Sequence, residues 1–307
     1  MKLLVLGDIP GKTEKLEKEI PKHDFDLVIG VGDYAGIEEW RKYINYAFRL
    51  KDRKEGKSPK EFYGKEKFDK LCREDYHAGK KVLNFLEGLG KPGVFVFGNG
   101  DEEWYDIFFI KRLKAKKRNL NFLKKIKNVK DINYGIKKYK GINFFGFGGY
   151  MDVSANDGSR DKEWQMAVDK RMKKAEKRFN LFLKKVNGKS IFVFHYPPRG
   201  IFDLIKDKKN PFHGKSSGID FYHRAILKKK PILVLCGHME EYQGKKKLGS
   251  STIVNPGEGS HGKFAIVEID DKNGEVKKVE FFGKKWIWAT PIITGVKIKF
   301  AKFRKFH

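Results

Sequence analysis

The chain has 307 residues, 40% hydrophobic with 26 Phe, which is enough for one large core or two modest ones and excludes a wholly disordered chain. Its formal net charge of +28 implies attraction to polyanions such as RNA, DNA or an anionic membrane face, unless it reflects only a solvated lysine-rich surface. Two cysteines, Cys72 and Cys236, exclude a disulfide framework and fit a reducing cytoplasm, and no apolar run reaches the roughly 20 residues that span a bilayer.

The first apolar run, LLVLGD (3–8), is too short for a signal-peptide core. Further runs follow: LVIGVGD (27–33), VFVFGN (94–99), INFFGFGG (142–149), SIFVFH (190–195), ILVLCGH (232–238), STIVNPG (251–257), FAIVEID (264–270) and VKKVEFF (276–282). Short runs rich in Val, Ile and Phe, bounded by Gly, Asp, Asn or His, predict strands buried on both faces. Between the second and third, residues 43–81 are charged and helical in tone, with a break at EGKSPKE (55–61), and are expected to be an insertion. Lys111 to Lys130 carries ten Lys or Arg and no acid, which suggests a second addition. From Asp161 to Val186, Trp164, Val168, Met172, Ala175, Phe179, Phe182 and Val186 recur at steps of three and four, the stripe of an amphipathic helix. The end, VKIKFAKFRKFH from Val296, alternates apolar and basic residues before losing the pattern. Strands alternating with helices, then a closing series of strands, predict a layered α/β fold. We expect one domain over 1–283 and a basic aromatic extension over 284–307.

Chemistry gathers where the strands end. Asp8, Asp33, Asn99, His195 and His238 each follow an apolar run directly or one Gly away. In an open α/β sheet, ligands bind at the carboxyl ends of the strands, where loops diverge. Imidazole and carboxylate together suit a divalent ion of the Mn, Fe or Zn kind better than Ca or Mg. A lone His after a strand is more often a hydrogen-bonded core residue, and Gly-Asp is an ordinary turn; a set of five is harder to dismiss.

These residues lie in GDIPG (7–11), GDYAG (32–36), GNGDE (98–102), FHYPP (194–198) and GHMEE (237–241). In this order the motifs resemble those of the calcineurin-like metallophosphoesterases: Asp-x-His, Gly-Asp, Gly-Asn-His-Asp/Glu, an isolated His and Gly-His-x-His. HYPPRG, HGKSSG (213–218), LVLCGH and STIVNPG resemble the Icc-related predicted phosphoesterases of bacteria and archaea in particular. The resemblance covers most of residues 1–283. It implies a four-layer αββα sandwich of two mixed sheets and a metal-bound hydroxide that hydrolyses a phosphomonoester or phosphodiester, the substrate being undefined. It also implies one or two divalent ions. One would be held by Asp33, Asn99, His195 and His238, and the other by Asp8 and Asp33, with His195 and Asp101 in catalytic roles. Three positions depart from the family pattern. Pro10 and Glu240 stand where family histidines ligate the first ion, and Gly100 replaces a histidine that protonates the leaving oxygen. Proline supplies no ligand atom, whereas Glu240 can bind through oxygen and so favours Mn or Mg. Glu241 is expected at the surface, and loops 150–163 and 199–218 are expected to wall the pocket.

A rival reading makes the protein a weakened or inactive scaffold that binds RNA or a ribonucleoprotein through its basic surface. Lys114, Lys116, Lys117, Arg118, Lys124, Lys125, Lys297, Lys299 and Arg304, with interleaved Phe and Trp, supply charge and stacking area. A membrane-surface role for the aromatic and basic tail is a weaker third reading.

Overall fold

The computed structural model describes residues 1–49, 56–101, 120–151, 162–208, 210 and 212–283. Twelve strands among these form two six-stranded sheets. The first sheet contains β1 (Lys2–Leu6), β2 (Leu27–Gly30), β3 (Gly93–Phe95), β4 (Val129–Asp131), β11 (Phe264–Asp270) and β12 (Glu275–Phe282), in the order β12-β11-β1-β2-β3-β4. The second contains β5 (Gly135–Tyr139), β6 (Ile142–Phe147), β7 (Ser190–Phe194), β8 (Leu233–Leu235), β9 (Gly244–Leu248) and β10 (Ser251–Asn255), in the order β5-β6-β7-β8-β10-β9. Strands β1 to β4 are mutually parallel, as are β6, β7, β8 and β10; the outer strands β5, β9, β11 and β12 run antiparallel to their neighbours.

The two-residue period of the strands makes four layers. Leu3, Val5, Leu27, Ile29 and Val94 face Phe144, Ile191, Val193, Leu233 and Leu235 in a core between the sheets. The alternate residues Leu4, Leu6, Val28 and Phe95 face outward, against Leu16 of α1 (Glu14–Glu19) and Val82, Leu83 and Leu86 of α4 (Lys65–Gly88). On the far side, Phe145, Phe192, Phe194 and Val234 pack under Ala175 and Phe179 of α5 (Lys162–Leu183) and Tyr222 and Ile226 of α6 (Asp220–Lys229). Each fully buried aliphatic or Phe side chain contributes about 1.5–3 kcal/mol, so all three interfaces matter to stability. The expected αββα sandwich is the fold observed.

The predicted runs all contain strands, with one difference in burial. β12 lies at a sheet edge and is partly exposed along its length, so Val276 to Phe282 is not buried on both faces. Three strands were not anticipated. The basic stretch from Lys111 ends in β4, a parallel neighbour of β3, so its last residues belong to the sheet rather than to an addition. The Glu87 carboxylate fixes this edge by accepting the N–H groups of Lys127, Asn128 and Val129. Strands β5 and β9 are lysine-bearing outer strands. Within the expected insertion are α2 (Trp40–Arg49), α3 (Pro59–Tyr63) and most of α4, which continues past residue 81 to Gly88. A Ser58 and Glu61 capping box starts α3. No helix among the described residues is long and apolar enough to cross a membrane. Residues 102–119 and 284–307 lie outside the described residues, and with them Lys114, Lys116, Lys117, Arg118, Lys297, Lys299 and Arg304.

Candidate metal centre

The carboxyl ends of β1, β2 and β3 in one sheet meet those of β7 and β8 in the other. Backbone hydrogen bonds join the turns: Asp8 N–H to Gly32 O at 2.9 Å, Ile9 N–H to Asp33 O at 2.8 Å, and Gly237 N–H to His195 O at 2.9 Å. The Asp8 carboxylate crosses between the sheets and accepts the backbone N–H of His238 at 3.0 and 3.1 Å. Three of the five strand-end residues, Asp8, Asp33 and His238, have positive φ values of 53°, 57° and 66°. That conformation costs an L-residue about 1–2 kcal/mol and persists where the surrounding structure enforces it, commonly at functional sites. Two glycines leave the needed room. A Cβ on Gly98 would overlap Asp33 Oδ1, and one on Gly237 would stand 2.5 Å from Asp8 Oδ2.

Four donors converge at this point. Ligand atoms of Asp33, His195 and His238 all lie within 4.8 Å of one another. Asn99 Oδ1 is 2.9 Å from His195 Nε2 and 2.8 Å from His238 Nδ1, and Asp33 Oδ2 is 3.4 Å from His195 Nε2. His195 is fully buried, and its Nδ1–H donates to Val31 O at 2.9 Å, which turns Nε2 toward the cluster. Two imidazole nitrogens directed at one amide oxygen, with a carboxylate beside one of them, form a donor set that a proton or a cation must hold together. Burial disfavours a charged His195, yet the Asp33 and Asp8 carboxylates outweigh it and lift its pKa to about 9. His238, buried beside that charge, is pushed down to about 3 and stays neutral. Burial likewise opposes the charge on Asp33, and His195 still holds it below the usual carboxylate range. The Tyr196 ring covers His238 with centroids 4.0 Å apart.

The sequence profile of the metallophosphoesterases of the calcineurin superfamily matches residues 1–279. The chain belongs to this superfamily. Its members are phosphoesterases that use divalent metal ions, and the donor set just described suits such an ion. A crystal structure that aligns over 92% of this chain and 98% of its own length, at 19% identity and a TM-score of 0.56, shares the fold. TT1561 of Thermus thermophilus aligns over the same shares at 18% identity with a TM-score of 0.48. The uncharacterized protein MJ1162 of Methanocaldococcus jannaschii is 29% identical over 153 residues. That match takes in 47% of this chain and 63% of the relative, less than two thirds of its length.

Three metallophosphoesterase positions depart from the family motifs. Pro10 lies against Gly36, and Gly100 donates its N–H to Asp33 Oδ1 at 2.6 Å. Asp8 and Glu240 stand outside the described group whose ligand atoms lie within 4.8 Å of one another. Burial and the charges of Glu258 and Asp33 raise Glu240 to about 7, with Arg41 and Lys263 opposing. Burial raises Asp8 well above the usual range.

Burial and the charge of Asp33 raise Asp101, the expected catalytic acid, to about 7, with the backbone N–H groups of Ala35, Gly98 and Tyr34 opposing. Its fully buried carboxylate accepts four backbone N–H groups, from Asp33 and Gly98 on Oδ2 at 2.9 and 2.8 Å and from Tyr34 and Ala35 on Oδ1 at 2.9 and 2.8 Å. All of its acceptor directions are committed, which makes it the anchor of the Asp33 turn. Glu241, expected to be surface only, accepts the N–H groups of Lys206 and Asp207 at 2.7 and 3.0 Å and so ties loop 204–207 to the His238 turn. Of the expected pocket walls, 199–208 is held by the buried Asp203, which accepts Gly200 N–H at 2.8 Å and the Ser216 hydroxyl, while most of 150–163 lies outside the described residues. Nothing in the sequence signals the role of Glu241, because two adjacent glutamates in a polar turn carry no periodic pattern. Asp101 follows GNG directly, and nothing in that motif shows the four backbone N–H groups it holds.

Proposed function

We propose that this chain hydrolyses a phosphate ester at a metal centre held by Asp33, Asn99, His195 and His238, with Asp8 and Glu240 as weaker contacts for a second ion. The observation that carries this reading is the convergence of Asp33, His195 and His238 within 4.8 Å around the Asn99 amide oxygen. A Mn, Fe or Zn ion there would supply Lewis acidity toward a phosphoryl oxygen and toward the attacking water.

The chain's own groups do the positioning. Val31 O fixes His195 in the tautomer that leaves Nε2 available, and Asp101 fixes Asp33 through the N–H groups around it. Gly100 N–H occupies Asp33 Oδ1, which leaves Oδ2 toward His195. In the net reaction, water oxygen bonds to phosphorus as the P–O bond to the alcohol breaks, and the leaving oxygen takes a proton. Gly100 carries no side chain to give that proton, so a good leaving group is favoured. General acids are typically worth about 10²- to 10⁴-fold, and this enzyme is expected to lack that factor for alkyl esters.

The test is a manganese-loaded, desalted preparation assayed on bis-p-nitrophenyl phosphate, with metal content measured alongside. Asp33→Ala and His195→Ala are expected to lose both bound manganese and turnover. Full activity in either variant would sink the assignment.

A further inference from the structure

Two cations reach the acidic side of the centre without a partner. Arg41 lies in the first turn of α2, in the segment that follows the Asp33 turn. That turn runs beside the Asp8 turn, where Gly11 N–H donates to Tyr34 O at 3.2 Å and Gly36 lies against Pro10. The neighbours of Arg41 are tied to the rest of the insertion. Tyr63 O–H donates to Glu39 O at 2.5 Å, the Glu39 carboxylate pairs with Lys42 and Lys67 at 3.0 and 2.9 Å, and the Trp40 ring meets the Tyr63 and Phe68 rings edge-on. Arg41 itself is exposed, and its guanidinium pairs with no described residue. Lys263 comes from a second segment, the turn after β10. Asn255 Nδ2–H donates to Met239 O at 3.3 Å, Gly259 N–H to Gly7 O at 2.9 Å and Ser260 N–H to Asp8 O at 3.2 Å, so this turn is bonded to both the His238 and the Asp8 turns. The half-buried Lys263 lays its stem over Gly257, where a Cβ would stand 2.8 Å from Lys263 Cδ, and its ammonium pairs with no described residue. Glu240 is the common neighbour: its carboxyl feels the charges of Asp33, Arg41 and Lys263 together.

Several cations of the same region do have partners: Lys12 pairs with Glu38 at 3.8 Å and Lys81 with Glu14 at 2.5 Å. The carboxylates on the acidic side are otherwise engaged. Glu258 accepts the Ser260 hydroxyl at 2.5 Å and faces His261 Nδ1 at 2.6 Å, and burial disfavours the charge on Glu240. Two unpaired cations beside a phosphoesterase centre therefore suit a second anionic group on the substrate. Gly100 narrows what that group is, because it has no side chain to protonate a leaving oxygen. A phosphate monoester loses its last proton at a pKa of about 6 and so departs as an anion, whereas an alkoxide needs a proton as it forms. Cations beyond a centre that lacks this acid match a bond whose leaving group is itself a phosphate.

We propose that the substrate is a phosphoric anhydride, a diester of diphosphate, with one phosphoryl group at the metal centre and the other held by Arg41 and Lys263. This assignment rests on the phosphoesterase reading and names its substrate class. In the reaction the oxygen of water bonds to the first phosphorus, and the bridging P–O bond breaks with its electron pair on the second phosphate. Both products are phosphate monoesters, and the two protons of water pass to them or to solvent. Arg41 and Lys263 meet the negative charge that gathers on the departing group.

The test compares kcat/KM of the full-length, manganese-loaded protein on symmetrical diphenyl diphosphate, which carries two joined phosphates, and on bis-p-nitrophenyl phosphate, which carries one. The unaltered protein should convert the diphosphate to phenyl phosphate. Replacing Arg41 and Lys263 together by Gln should lower the ratio of the two kcat/KM values, diphosphate over monophosphate, by about 100-fold, since each hydrogen bond to a charged group is worth about tenfold or more. A ratio cancels any general loss of metal or fold. A control with Lys170→Gln and Lys173→Gln on exposed positions of α5 removes the same charge and should move the ratio by no more than about twofold. Calorimetry without turnover gives a second readout: the double variant should bind methylenediphosphonate at least about tenfold more weakly than the unaltered protein does, with a smaller change for methylphosphonate. Equal ratios in the double variant and the control, or equal losses for the two phosphonates, would overturn the role of Arg41 and Lys263. Ethylene glycol bis(phenyl phosphate), whose phosphates are separated by carbon, turned over as fast as the diphosphate would overturn the anhydride. Hydrolysis of bis-p-nitrophenyl phosphate alone would remove the diphosphate and leave the phosphoesterase reading standing, whereas hydrolysis of neither compound would remove both.

Discussion

On one side of the centre, Asp33, Asn99, His195 and His238 bring an amide, a carboxylate and two imidazoles to a single point. On the other, Asp8, Glu240 and Glu258 bring carboxylates that repel one another and share no such point. The first side lowers the pKa of its acid, and the second raises both Asp8 and Glu240. Imidazole explains the difference. It can be neutral or cationic, so two histidines let the first side balance its charge without a metal, whereas on the second side Arg41 and Lys263 only partly offset what burial and neighbouring carboxylates do to Glu240. A strong site and a weak one follow from the same fold.

The most disruptive way to probe the convergent side is to remove its anchor. Asp101→Ala would strand four N–H groups in the interior, and the expected loss is about 3–5 kcal/mol in urea unfolding, as for a broken buried charge interaction. A loss below about 1 kcal/mol would show that the Asp33 turn holds itself. Next in size is Asn99→Ala. Residues that only support metal ligands cost about 10- to 100-fold in affinity, so loss of this oxygen should cost at least about 100-fold for manganese by calorimetry. If affinity instead falls less than about tenfold, Asn99 is a hydrogen-bonding spacer between the histidines.

What could be read from sequence divides along the same line. The strands of both cores were legible, because LLVL, FFGF and IFVF can be buried on both faces and little else fits. The five strand-end residues were legible from their position. Strands β4, β5 and β9 were not, since VKD, GIKKY and GKKKL lack an apolar run, and an edge strand needs none. Nor could sequence show the positive φ of Asp8, Asp33 and His238, which comes from how two sheets abut.

The smallest expected effect separates the two sides by sign. Burial, with Glu258 and Asp33 nearby, raises Glu240 from 4.5 to about 7, so the folded state binds its proton more tightly than the unfolded chain does. Ionising it therefore costs folding energy, and stability falls as pH rises from about 4.5 to about 7. Glu240→Gln removes that cost and should stabilise the metal-free protein by about 1–2 kcal/mol above pH 7, with the gain vanishing below about pH 4.5. Saturating manganese should reverse the order if an ion occupies the acidic side, because the wild-type carboxylate then gains a partner that Gln cannot match. A gain in stability that persists in manganese would mean that the acidic side holds no ion, and that the four convergent donors carry the metal chemistry alone.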